Sequence, residues 1–453
     1  MKSNAVDMCN GPLFKKIVAF TIPVILSGAL QLLFNTADLI VVGRFCGSVC
    51  VAAVGATTFI INLITNLFIG LSVGAGVSTA HAIGAGDKDA MSKTVHTAIP
   101  VALISGAALT VIGILCTVPA LRLMDTPQDV IGLSALYMKI YFCGMIPSMV
   151  YNYGSAILRA AGDTKGPLVY LTISGVLNVM LNVCFVLVFD MDVDGVALAT
   201  ALSQALSAVL VVRALVKRND GCRLVLREMR VHKSCLMKML RIGLPAGIQG
   251  SLFSISNVII QSSINSFGTA AISGGAAAGS IEAYAVVAIN SVHQAALNFS
   301  GQNMGAKKYD RVSKTMWISA GIVTVIGWVL GALTVAFARP LLSIFITDSP
   351  EAIELGIIRL RYICIPYFVC GIMDVAAGVI RGMGASLAPT IITVLGVCGV
   401  RLTWVYTVFQ LPQYHTIDGL YMCYAISWVV TCIAQVILYF ILRKKLNRDL
   451  QTA

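Results

Sequence analysis

The sequence predicts an all-α, polytopic membrane protein with twelve transmembrane helices in two pseudo-symmetric six-helix bundles. Three observations carry that expectation: an apolar, charge-poor composition, twelve separate apolar runs, and an internal repeat. Of 453 residues, 58% are hydrophobic and only 11% charged, whereas soluble domains carry about 25% charged residues. The formal net charge of +12 would suit a nucleic-acid ligand if it were clustered. Its placement along the chain points to a membrane surface instead.

A helix crossing ~30 Å of hydrocarbon needs about 20 apolar residues. Runs of that kind lie near 17–42, 51–79, 95–118, 133–157, 167–189, 194–215, 239–266, 276–300, 315–338, 357–380, 389–409 and 418–442. Turn and charge signals such as "GAGDKDAMSK", "AAGDTKGP" and "FDMDVDG" separate them. Twelve spans put both termini on one side. Counted over the loops, 25 Lys and Arg fall on that side and 3 (Arg44, Arg122 and Arg339) on the other. The positive-inside rule therefore predicts cytoplasmic termini.

The repeat follows a nearly constant offset. "IGAGDKDAMSKT" at 83–94 aligns with "MGAKKYDRVSKT" at 304–315, and "ILRAAGDTKGP" at 157–167 with "VIRGMGASLAP" at 379–389. "FTIPVILSGALQLLFN" at 20–35 aligns with "IGLPAGIQGSLFSISN" at 242–257, matching Pro23 to Pro245. The expected organisation is a six-helix bundle at 1–215, a basic cytoplasmic linker at 216–238 and a second bundle at 239–453. An even number of spans per half gives both halves the same topology, related by an axis along the membrane normal. The basic linker reads as a surface segment lying against anionic lipid headgroups.

The 13 cysteines are scattered as single residues, with no CxxC pair or Cys/His cluster at zinc-like spacing. Neither a disulfide framework nor a metal site is indicated. Glycine-rich stretches lack a preceding strand and a phosphate-loop lysine, which argues against a nucleotide cofactor. The small-residue run "GGAAAG" at 274–279 suits close helix packing.

At this point "IPVILSGALQLLFNTADLIVVGR", "IGAGDKDAMSKT", "LRAAGDTKGP" and "IEAYAVVAINSVHQAALNFSGQNMGAKKYDR" resemble the multidrug and toxic compound extrusion (MATE) family, in a bacterial branch. The resemblance covers essentially the whole chain. It implies a secondary active transporter rather than an enzyme, exporting cationic or amphipathic compounds by antiport with protons or sodium ions. It also implies a plasma-membrane protein with small-molecule substrates, a lipid environment, no nucleic-acid partner and no bound cofactor, working as a monomer. A lipid-linked oligosaccharide flippase of the same superfamily is the alternative; it should carry a more cationic cavity than one arginine provides.

Ionisable residues deep in a bilayer cost at least ~2.5–3.5 kcal/mol each, so they need a partner or a function. Asp38, Glu282 and Asp374 are the acids well inside spans, and Arg401 is the deep base. Counting ~1.5 Å per residue from the outer ends of their spans places Asp38, Asn178, Asn182 and Thr200 roughly 7–16 Å below the outer surface. Asn178 and Asn182, four apart, share a helix face. The set could coordinate a monovalent cation such as Na+ or hold a titrating proton, and it resembles the family's cation site. Many members carry an acid where this chain has Asn182, so sodium binding should be weaker. An aspartate buried only for helix–helix hydrogen bonding is the plainer alternative. Glu282, Asp374 and Arg401 form a second group: either a structural ion pair on Arg401, or an acid, Glu282 first, serving a cationic substrate or a second proton.

Overall fold

A computed structural model describes residues 5–124, 126–347 and 349–451; Lys2, one of the basic residues counted above, lies outside them. Among the described residues the chain is helical. Ten helices are long and apolar enough to cross a membrane individually, and two bent helix pairs bring the number to twelve. Their exteriors carry Leu115, Val188, Ile104 and Val325 at 63–73% exposure. Water would penalise such apolar surfaces, whereas lipid covers them without cost.

Contacts divide the chain into two units. The first comprises residues up to Gly11, then Ile22–Ser251 and Gln302–Lys307; the second comprises Pro12–Thr21, Leu252–Gly301 and residues from Lys308 onward. These units do not follow the linear halves: residues 239–251 group with the first and Pro12–Thr21 with the second.

In the first unit α1 (Leu13–Val41) contributes its part from Ile22 on and runs into a π-helical turn, Val42–Cys46. Then come α2 (Ser48–Ala85), α3 (Lys88–Leu123), α4 (Gln128–Cys143), α5 (Met145–Ala160), α6 (Lys165–Leu187) and α7 (Val193–Val216). The "GAGDKDAMSK" break works as its residues dictate. Gly86 ends α2 at φ 69°, and Asp87 caps α3 by accepting from the Ala90 amide at 2.9 Å. The helices close around Tyr153, Phe142, Met149 and Leu109, all buried. Buried threonines between them spend their hydroxyls locally, as Thr97 Oγ1 does on the Lys93 carbonyl at 2.7 Å.

The basic linker is more than a surface strand. Cys222 and Leu224 are buried, the Val225 amide donates to His96 Nε2 at 3.0 Å, and the His232 amide donates to Thr97 Oγ1 at 3.1 Å. Those bonds fix it to the start of α3. Arg223, Arg227 and Lys233 stay exposed, available to anionic headgroups. Burial opposes ionisation of Asp220, but pairing with Arg218 outweighs it and holds the carboxyl below its ordinary range.

In the second unit α8 (Lys233–Asn265) contributes its part from Leu252 on, followed by α9 (Thr269–Gly305), α10 (Tyr309–Ala336) and the short α11 (Ala338–Ser343). Next are α12 (Pro350–Cys364), α13 (Tyr367–Gly382), α14 (Leu387–Thr393), a π-helical segment Val394–Gly399, α15 (Val400–Tyr406) and α16 (Ile417–Gln451). Tyr421, Tyr439, Met316 and Leu360 form its core.

Two expected spans are not single rods. The run at 133–157 is split at Gly144 between α4 and α5, bent by 48°, and the run at 357–380 is split at Pro366 between α12 and α13, bent by 43°. Pro366 lacks an amide hydrogen and clashes with the preceding turn, which ends α12. Hydropathy is blind to a bend whose two halves are equally apolar.

The "GGAAAG" run does bring backbones together. A Cβ added at Gly274 of α9 would lie 2.2 Å from the Ala352 carbonyl oxygen and 2.9 Å from the Gly356 nitrogen of α12. Both are backbone atoms that cannot swing aside. Gly274→Val should cost about 1–3 kcal/mol of overpacking, seen as a lowered thermal unfolding midpoint in detergent; an unchanged midpoint would contradict the packing.

Candidate functional site

The first unit gathers all four residues expected around Asp38. Asp38 sits one turn before the π-helical end of α1, Asn178 and Asn182 on consecutive turns of α6, and Thr200 on the second turn of α7. Asn182 Nδ2 donates to Asp38 Oδ1 and also lies 3.4 Å from Asn178 Oδ1, and Asn178 Nδ2 donates to Thr200 Oγ1 at 3.5 Å. Asn178 and Asn182 are buried, while Asp38 and Thr200 are half-buried. The stacked pair Tyr137 and Tyr141, rings 6.0 Å apart, lies within electrostatic range of Asp38. Their part in the site went unseen in the sequence, because two tyrosines one turn apart read as packing.

One atom is left over. Asn182 Oδ1 is buried without a hydrogen-bond partner, although an orphaned buried acceptor costs about 1–3 kcal/mol. The cluster thus has one negative charge and an acceptor to spare, beside an amide and a hydroxyl oxygen. A monovalent cation or a proton would make it electrically neutral. A divalent ion would leave a net positive charge among apolar helices, which is expensive.

The second group is arranged differently from the expectation that Arg401 pairs with an acid. Glu282 of α9 pairs with Arg359 of α12: Arg359 Nε donates to Oε1 at 2.8 Å and Nη2 to Oε2 at 3.0 Å. Such a fork-to-fork bridge spends both carboxylate oxygens, so Glu282 is not an open counter-charge. Arg359 lies inside the run at 357–380, yet in the sequence it does not stand out as a deep base. The signal available was its place three residues inside the run at 357–380, but its repeat counterpart is the neutral Tyr137.

Arg401, 5% exposed, forms no ion pair among the described residues. It donates from Nε to Ser427 Oγ at 3.1 Å and lays its guanidinium 4.0 Å from the centre of the Tyr424 ring and 5.7 Å from that of Trp428. The π-helical segment Val394–Gly399 immediately before it carries an extra residue per turn, which rotates α15 away from the direction a regular helix would give. Asp374 accepts at its backbone carbonyl from His293 Nδ1 at 2.7 Å. Its side chain joins Glu282, Arg359 and Arg401 around a cavity of 370 Å³.

Comparison with known proteins follows this geometry. The chain is similar to "Probable multidrug resistance protein YoeA" of Bacillus subtilis, 28% identical over 92% of this chain and 91% of that one. It is similar to "Probable multidrug resistance protein NorM" of Thermotoga maritima, 26% identical over 86% and 84%. Among solved structures, "Crystal structure of MATE in complex with MaL6" superposes with a TM-score of 0.91 over 99% of this chain and 100% of that one at 23% identity, which shows the shared fold. The MatE family model matches twice, at residues 23–184 and 245–407, the same spacing as the internal repeat. With both copies of the model matched across most of its length, the chain belongs to the MatE family.

Proposed function

We propose that the protein is a multidrug efflux transporter that exports cationic or amphipathic compounds in exchange for protons or sodium ions, with Asp38, Asn178, Asn182 and Thr200 as the coupling site. The observation carrying this reading is a lone carboxylate among spanning helices, ringed by amides and a hydroxyl with the Asn182 acceptor left over. Its relatives' description as multidrug resistance proteins supports the same reading. Family membership makes it a transporter rather than an enzyme.

Asp38 is useful here because it has two neutralised states and one charged state. Exposed to water the carboxylate ionises; occluded among apolar helices it must hold a proton or a cation. Asn182 orients the carboxylate through its amide hydrogen, and the oxygens of Asn178 and Thr200 would complete a cation's shell. A single carboxylate gives a weaker field for a dehydrated sodium ion than two would. The proton is therefore the favoured coupling ion. The 25-to-3 distribution of basic residues supports cytoplasmic termini in a plasma membrane, and the two-unit chain carries the whole exchange as a monomer.

Proteoliposomes loaded with a fluorescent lipophilic cation test this reading. An imposed proton gradient alone should drive the dye against its own gradient, and an inward sodium gradient alone should drive less. Transport with neither gradient effective would remove the antiport reading, and a sodium-only response would transfer the coupling to that ion.

A further inference from the structure

The second unit's cavity is lined by four acidic or basic side chains, and two of them cancel. Glu282 and Arg359 spend their charges on each other through two hydrogen bonds. Arg401 is left without a carboxylate partner among the described residues, and Asp374 lines the same cavity with the buried Arg381 within electrostatic range of it. Arg401 is 95% buried by its 5% exposure, yet its only hydrogen bond among the described residues uses Nε, on Ser427. Both terminal nitrogens of the guanidinium are left with hydrogens to donate. Its face is held against Tyr424, and Ser427 fixes its edge, so the fork is rigid before any ligand arrives. A planar, preorganised pair of N–H groups matches the two oxygens of a carboxylate or a phosphate.

The rest of the wall suits a ring. Tyr367 stacks on Trp428 at 5.4 Å, and both line the cavity with Phe253. At 370 Å³ the space falls at the small end of ligand pockets, about 300–1,000 Å³. Asp374 in the same wall opposes a second negative charge. We propose that this cavity binds an aromatic monoanion, its acid group held by the terminal nitrogens of Arg401. This is a ligand class opposite in charge to the cationic compounds considered above, and it does not depend on coupling at Asp38.

Equilibrium binding tests it without any transport. The purified full-length protein in uncharged detergent is titrated calorimetrically with naphthalene-2-carboxylate, the monoanionic diester methyl 2-naphthyl phosphate and the uncharged naphthalene-2-carboxamide. At least one anion should bind saturably and on the order of tenfold more tightly than the carboxamide, about 1.4 kcal/mol; the two anion arms decide which acid is preferred. Arg401→Gln should abolish that preference, bringing anion binding down to the level of the carboxamide. Asp374→Asn removes the opposing charge and should tighten anion binding several-fold without affecting the carboxamide. Should Arg401→Gln fail to fold, the Asp374→Asn comparison decides by itself. Equal binding of anion and carboxamide by the wild type, or anion binding unaffected by the Arg401 or Asp374 substitution, overturns the proposal.

Discussion

Asp38→Asn is expected to leave folding and membrane insertion nearly unchanged while abolishing gradient-driven efflux. The amide has the carboxylate's size, and its oxygen still accepts from Asn182 Nδ2. Lost are the titration and the negative charge that hold a proton or a cation. If ion and substrate compete for one unit of the protein, linkage makes the effect reciprocal, typically worth ~1–3 kcal/mol or about 5–150-fold in affinity. In wild type, substrate affinity should therefore shift with pH or sodium over that range. In Asp38→Asn, substrate still binds at equilibrium, but the dependence should disappear and uphill efflux should fall to the level of empty vesicles. Dye accumulation in proteoliposomes and substrate affinity across pH measure the two halves. Normal uphill efflux by a well-expressed variant would place the coupling site elsewhere.

The second large effect is structural. Arg359→Gln leaves the Glu282 side chain, 9% exposed, without its partner inside its bundle. Breaking a buried pair from one side typically costs about 3–5 kcal/mol, because the surviving charge is uncompensated. The polar cavity beside the pair brings the expectation to the low end. Glu282→Gln should cost a similar amount, and the double variant Glu282→Gln/Arg359→Gln should recover most of the loss, since neither charge then remains. Thermal unfolding midpoints and yields in detergent supply the four corners of the cycle. Additive losses in the double variant would show that the pair is not energetically coupled. Arg401→Gln orphans no partner charge, so its effect on stability should be smaller than that of Arg359→Gln.

The two sites were legible to different degrees, for a geometric reason. Asp38, Asn178, Asn182 and Thr200 met as expected because depth along a regular helix is a one-dimensional count. Residues counted the same distance from the neighbouring ends of three helices are brought together. The count fails where the helix is irregular. Arg359 lies on the first half of a span broken at Pro366, and its long side chain reaches Glu282 from there. Arg401 follows a π-helical segment that turns it toward Tyr424, Trp428 and Ser427 rather than toward an acid.

By itself, then, the sequence determined the twelve apolar runs, the repeat that the family model matches twice, and the meeting of Asp38 with Asn178, Asn182 and Thr200. These follow from the length of helix a bilayer demands and from periodicity along the chain, both local properties. Only the tertiary structure decided which arginine neutralises Glu282, where the two spans bend, and that Arg401 lies against aromatic faces with no ion pair among the described residues. Ion-pair choice depends on helix rotation, and a single π turn or proline break changes that rotation while leaving the hydropathy of the span unaltered.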